Sequence, residues 1–102
     1  MISEPLTAVL RVLADETRLG VVRSLLEGPR HVYEMQEALD IDQSLLSHHL
    51  RVLRDARIVE SERDGKAVLY RLAPDVEVQR RGEMIDLGCC RLVFDDDTEG
   101  AG

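Results

Sequence analysis

Two adjacent thiols, Cys89 and Cys90, are the only cysteines in the chain. Thiolate is the ligand that soft ions select, so such a pair suits a thiophilic metal or a trivalent arsenical. Trivalent arsenic takes three ligands. The pair supplies two and leaves the third to a hydroxide, to a carbon substituent on an organoarsenical, or to another group. Arg91 favours thiolate there, whereas Asp86 and the acidic run 95–97 oppose it. Thiol oxidation is an alternative use of the same pair, and chemically inert thiols are the other reading. The other chemistry lies at 43–54, where Gln43, Ser44, Ser47, His48, Arg51 and Arg54 share one stretch. Gln matches an adenine edge, Ser and His donate or accept, and Arg reads guanine or clamps phosphate. Gln43, Ser44, Ser47 and His48 are the candidates for base edges, with Leu45 placed to meet a thymine methyl. Arg63 and Lys66 flank Asp64-Gly65, where a turn would meet phosphate or a minor groove. His48 and His49 do not read as a metal pair, because helical neighbours point about 100° apart and no third ligand lies one turn away. No Ser/His/Asp set, phosphate-cradling glycine loop or C-x-x-C motif is present, so the residues do not describe an enzyme.

The elements that must position these residues follow from pattern. At 102 residues the chain is one domain, and 44% hydrophobic with 32% charged residues is a globular composition. Leu6, Val9, Leu10 and Leu13 fit a helix over 5–13. Asp15 caps a second, carrying Leu19, Val22, Leu25 and Leu26 and ending at Gly28-Pro29. Gly20 inside it fits only a close approach by another helix. Val32, Met35 and Leu39 make a short third helix. Asp42 caps a fourth to about residue 57, with Leu46, Leu50 and Leu53 inward, His49 partly buried and His48 outward. Two helices joined by so few residues have the spacing of a helix-turn-helix. Runs 58–63 and 66–72 are strands around Asp64-Gly65, read as a type I′ turn, with Val68, Tyr70 and Leu72 inward. Pro74 opens a fifth helix to about Leu87, stopped by Gly88, after which Cys90, Leu92 and Phe94 share one face of an extended segment. The class is mainly α with a β-hairpin wing, a winged helix-turn-helix with four helices before the hairpin and one after. Residues 1–94 form the domain and 95–102 an acidic, disordered tail.

Net charge is −7, but unevenly spread: −3 over 1–40, +1 over 41–72 and −5 over 73–102. The middle third alone is not acidic. DNA binding depends on local Lys and Arg, so the acidic total does not forbid it, although it supports a winged helix that binds protein instead. No run approaches the roughly 18 apolar residues of a membrane span, and the N-terminus lacks signal-peptide features. The expected address is the cytoplasm, with reduced thiols.

The stretches Leu13-Ala14-Asp15-Glu16-Thr17-Arg18-Leu19, Gln43-Ser44-Leu45-Leu46-Ser47-His48-His49-Leu50-Arg51-Val52-Leu53-Arg54, and Asp64-Gly65 followed by Val68-Leu69-Tyr70-Arg71-Leu72 resemble the ArsR/SmtB family of bacterial repressors. The resemblance covers roughly 6–75. It implies a homodimer, joined through its first and last helices, that leaves operator DNA when an inducer, often a metal ion or metalloid, binds. Family members commonly carry Pro and Thr where this chain has Ser44 and Leu45, which implies a shifted operator preference. The family's cysteine pair at the start of the third helix would fall on His31 and Tyr33, and its zinc site on the last helix finds no His in 74–87. Cys89 and Cys90 remain. Some family members respond to trivalent arsenicals through a late cysteine pair, and this chain is similar to them but lacks a later third Cys, which favours a monosubstituted arsenical over arsenite. No obligatory cofactor is implied.

Overall fold

The computed structural model describes residues 4–79 and 84–94. Helix α1 (Glu4–Leu13) is followed by Asp15, whose carboxylate accepts from the Arg18 backbone N–H at 3.0 Å and starts α2 (Glu16–Ser24). A 3-10 turn (Leu25–Glu27) and Gly28, at φ 136°, end that helix, a conformation in which a side chain would be strained. Strand β1 (Arg30–His31) leads into α3 (Val32–Leu39). Asp40 then turns the chain in the left-handed region, and α4 (Gln43–Asp55) begins with the Asp42 carboxylate accepting from Ser44 N–H at 2.9 Å. The expected close approach at Gly20 is present: a Cβ there would stand 3.0 Å from Leu39 Cδ2, so α2 and α3 meet at a residue without a side chain.

The end of α4 is tied to the next element. Ile58 N–H donates to Leu53 C=O at 3.0 Å and Arg57 N–H to Arg54 C=O at 2.9 Å, the paired bonds of a Schellman motif. Its left-handed position is held by Arg57, at φ 64°, where glycine is usual. Ile58 and Leu53 are both buried, which supplies the apolar contact that accompanies such a cap. Strands β2 (Val59–Asp64) and β3 (Ala67–Leu72) form the hairpin, and β1 joins the other edge of β3, giving the antiparallel order β1-β3-β2. Asp64 pairs with Ala67, so the two loop residues are Gly65 and Lys66, one later than expected. Only Gly65 of the two has a positive φ, 64°, the pattern of a type II′ rather than a type I′ turn.

The fifth helix is not formed. The chain turns at 73–76, where Val76 N–H donates to Ala73 C=O, and continues as β4 (Glu77–Gln79), β5 (Met84–Asp86) and β6 (Arg91–Val93), a second antiparallel sheet. Register explains the choice, since Val78 stands opposite Ile85 and Ile85 opposite Leu92, placing one apolar residue per strand in a row. Ile85 has no exposed surface. Gly88, at φ 89°, serves the β5–β6 turn instead of stopping a helix, so the last helix of the expected dimer interface is absent among the described residues. The expected tail at 95–102 lies outside them. The core gathers Val21, Val22, Met35, Leu46, Leu50, Leu53, Val59 and Ile85 beneath α4 and both sheets. Among the described residues no helix is long and apolar enough to cross a membrane.

Candidate nucleic-acid interface and thiol site

Helix α4 has two unlike sides. Leu46, His49, Leu50 and Leu53 are buried, while Gln43, Ser44, Leu45, Ser47, His48, Arg51 and Arg54 are all exposed. Arg63 and Lys66 are exposed at the hairpin tip, so every residue expected to meet DNA is free of the core. The fold brings three of the nine together. Gln43 and Ser47 of α4 and Lys66 of the wing line one cleft of about 390 Å³, which Tyr33 and Gln36 of α3 also line. Ser44, Leu45, His48, Arg51, Arg54 and Arg63 lie outside it. Tyr33, with 61% of its surface exposed, was not read as part of this face. An aromatic at an outward position of a helix whose inward set is Val32, Met35 and Leu39 was the available signal.

Below the exposed face, one side chain locks α4 in place. Arg18 donates from Nε to His49 Nδ1 and from Nη1 to the Val12 carbonyl, both at 3.0 Å, while its own backbone caps onto Asp15. The Arg18 backbone N–H is also the main reason the Asp15 carboxyl lies below its usual range. His49 is thus the buried, hydrogen-bonded histidine and His48 the exposed one. Their rings meet edge-on at 5.4 Å.

A second histidine joins α3 to the wing. His31 Nε2 lies 2.8 Å from Asp64 Oδ2 and Nδ1 3.2 Å from Glu34 Oε1, and its ring stacks on Tyr33 at 5.1 Å and 10°. The hydrogen bond to Asp64, then that to Glu34, raises the His31 imidazole above its ordinary value. Glu34 accepts from the His31 backbone N–H at 2.7 Å, which holds its carboxyl low.

Cys89 and Cys90 occupy the turn between β5 and β6 as free thiols, Sγ to Sγ 3.7 Å, with Cys89 exposed and Cys90 half-buried. Asp86 shapes this turn by accepting from Gly88 N–H at 2.8 Å and from Arg91 Nε at 3.3 Å. Arg91 is therefore committed to Asp86, and the Cys90 thiol is pushed up by burial first, then by Cys89 and Asp86. Arg91 is not among the groups that move the Cys90 thiol. The expected shared face of Cys90, Leu92 and Phe94 is present, each half-buried while Arg91 and Val93 are exposed. Among the described residues no group of three His, Cys, Asp or Glu side chains could hold a metal ion.

Residues 15–61 match the model of the bacterial regulatory protein ArsR family. A biofilm growth-associated repressor of Xylella fastidiosa is 34% identical over 83 residues, covering 81% of this chain and 73% of that protein. The chain belongs to the ArsR family. ArsR-family proteins are winged helix-turn-helix transcription regulators, DNA-binding proteins and not enzymes. The HTH-type transcriptional repressor SmtB of Mycobacterium tuberculosis is 46% identical over 65 residues, covering 64% of this chain and 48% of that one. The arsenical resistance operon repressor of Escherichia coli is 42% identical over 69 residues, covering 67% and 59%. The chain thus spans about half the length of the SmtB repressor it matches. Among solved structures, HlyU from Vibrio cholerae superposes with a TM-score of 0.68 at 32% identity, over 70% of this chain and 77% of that one. The homodimeric winged helix-turn-helix DNA-binding domain of Mb0332 from Mycobacterium bovis gives 0.67 at 27%, over 72% and 68%. The ArsR-family match ends at residue 61, inside β2, so it contains α3 and α4 but neither the hairpin tip nor the second sheet.

Proposed function

We propose that this protein is a homodimeric transcription repressor that binds operator DNA through α4 and the wing, and is released when a trivalent arsenical or soft metal ion bonds Cys89 and Cys90. One observation carries the DNA half: all nine expected contact residues are exposed on α4 and the hairpin tip, while the opposite side of α4 is buried. Gln43, Ser44, Ser47 and His48, in the first turns of α4, read base edges, and Leu45 meets a thymine methyl. Arg51, Arg54, Arg63 and Lys66 hold phosphates. The homodimeric relative supports the twofold assembly, with α1, on which Leu10 is 49% exposed, contributing to the interface. The unit over 1–94 would work in the cytoplasm, where DNA and reduced thiols coexist.

The thiols support the inducer half. Two sulfurs 3.7 Å apart can bond one arsenic atom, and no third protein ligand stands with them among the described residues. A monosubstituted arsenical completes its three ligands with its own carbon. Each thiol then exchanges its proton for an arsenic–sulfur bond, and the two displaced hydroxides leave as water without any redox change. Inorganic arsenite would have to keep one hydroxide. The raised Cys90 thiol disfavours a peroxide-reactive thiolate.

Footprinting of the promoter region with the purified protein tests both halves. Two symmetric half-sites about one helical turn apart, roughly 34 Å, are expected. Cys89→Ser and Cys90→Ser are each expected to bind that DNA and to resist release by methylarsenite. Release persisting in the double variant would remove the thiol site, and release by peroxide alone would favour oxidation. A monomer, or a protein that binds no DNA, would leave the protein-interaction reading.

A further inference from the structure

The cleft between α3, α4 and the wing is selective in what lines it. The polar residues lining it are Tyr33, Gln36, Gln43, Ser47, Lys66 and Tyr70, and none carries a carboxylate. In a chain with 20 acidic residues that is a strong bias. The neighbouring cleft at the α3–α4 turn is the reverse, lined by Glu37, Asp40 and Asp42. Tyr33 and Gln36 line both, so they form the ridge between an acid-free channel and an acidic one. The Tyr33 ring is also held in place while exposed, because it stacks on His31, itself hydrogen-bonded to Glu34 and Asp64. A side chain already fixed in the free protein loses little entropy when it makes a contact.

We infer that the acid-free cleft is the channel for one phosphodiester strand of duplex DNA, in which the Tyr33 hydroxyl donates to a phosphate oxygen with the Gln36 amide beside it. The inference rests on the DNA-binding reading above and adds a contact from α3 to those of α4 and the wing. Neutral hydroxyl and amide donors are ordinary partners of phosphate, and they set the register of the protein on the duplex without reading sequence. The acidic cleft beyond the ridge repels the same strand and so marks the edge of the footprint.

Because such a contact is independent of sequence, the probe is a mixed-sequence DNA duplex, with affinity measured by fluorescence anisotropy across a potassium chloride series. Tyr33→Phe keeps the ring and its stacking and removes only the hydroxyl. It is expected to weaken binding about tenfold at every salt concentration, the factor for roughly 1.4 kcal/mol. Its plot of log K against log salt should run parallel to that of the wild type, because no cation is lost. Lys66→Ala should instead flatten the slope by about 0.9. Unchanged affinity of Tyr33→Phe, or a changed slope, overturns the channel. Failure of the wild-type protein to bind the duplex at low salt would instead overturn the DNA-binding reading beneath it.

Discussion

Arg18 bonds three separate parts of the chain: the last turn of α1 through Val12, the cap of α2 through Asp15, and α4 through His49. Replacing it with Ala leaves a buried imidazole nitrogen and a carbonyl without their donor. Arg18→Ala is expected to cost about 1–3 kcal/mol, read as a shift of the urea midpoint at unchanged m-value. The bond to His49 could not be foreseen from spacing, since Arg18 and His49 are far apart in sequence. His31 gives a pH-dependent counterpart. Its folded-state pKa is raised above the ordinary 6.5, so the stability it adds is fully present below about pH 6.5 and is lost as pH rises through the folded value. Asp64 and Glu34 face it, and both prefer it charged. His31→Gln should therefore lower the melting temperature at pH 6 by more than at pH 9, and equal losses at both would show that the imidazolium contributes nothing.

At the scale of elements, two helix boundaries carry unusual residues. Arg57 adopts the left-handed conformation after α4, which costs an L-residue roughly 1–2 kcal/mol, offset in part by the greater unfolded-state freedom of glycine. Arg57→Gly is expected to stabilise the protein by about 0.5–1 kcal/mol in denaturant titrations. Gly20 is the opposite case. Gly20→Ala should fall short of the usual gain of Ala over Gly in a helix, because its Cβ would stand 3.0 Å from Leu39 Cδ2, which must give way. In a Leu39→Ala background the same change should stabilise by roughly 0.5–1 kcal/mol, the helix preference for Ala over Gly. Helices α1 to α4 were readable from Leu and Val spacing and from Asp15 and Asp42, because cap chemistry and periodicity agreed there. The hairpin turn slipped by one residue because Asp64-Gly65 and Gly65-Lys66 are both plausible loops, and strand register decides between them. The helix expected over 74–87 failed for a related reason. Met84 and Leu87 fit a helical period, whereas Val76 and Val78, or Ile85 and Leu87, fit a strand period equally well. Pairing with 91–93, which no local pattern reveals, settled it. Tyr33 was missed because an exposed aromatic on a short helix has no partner until the wing folds over beside it.

Across the whole molecule, the two sheets differ in how they are joined to the rest. The wing sheet takes in β1 from before α3, so it closes around α3 and α4. Among the described residues the second sheet pairs only with itself, each strand bonding to its neighbour in sequence. A unit of that kind can open without dismantling the helix-turn-helix, and its opening free energy lies below that of global unfolding. Amide hydrogen exchange should show it: the backbone amides of β5 and β6 are expected to exchange through a local route faster than those of Leu50 and Leu53 in α4, whose protection tracks global stability. An arsenical that bridges Cys89 and Cys90 would close a ring across the turn of this sheet, and should slow exchange in β5 and β6 while leaving α4 unchanged. Uniform protection throughout the chain would mean that the second sheet and the helix-turn-helix unfold as one.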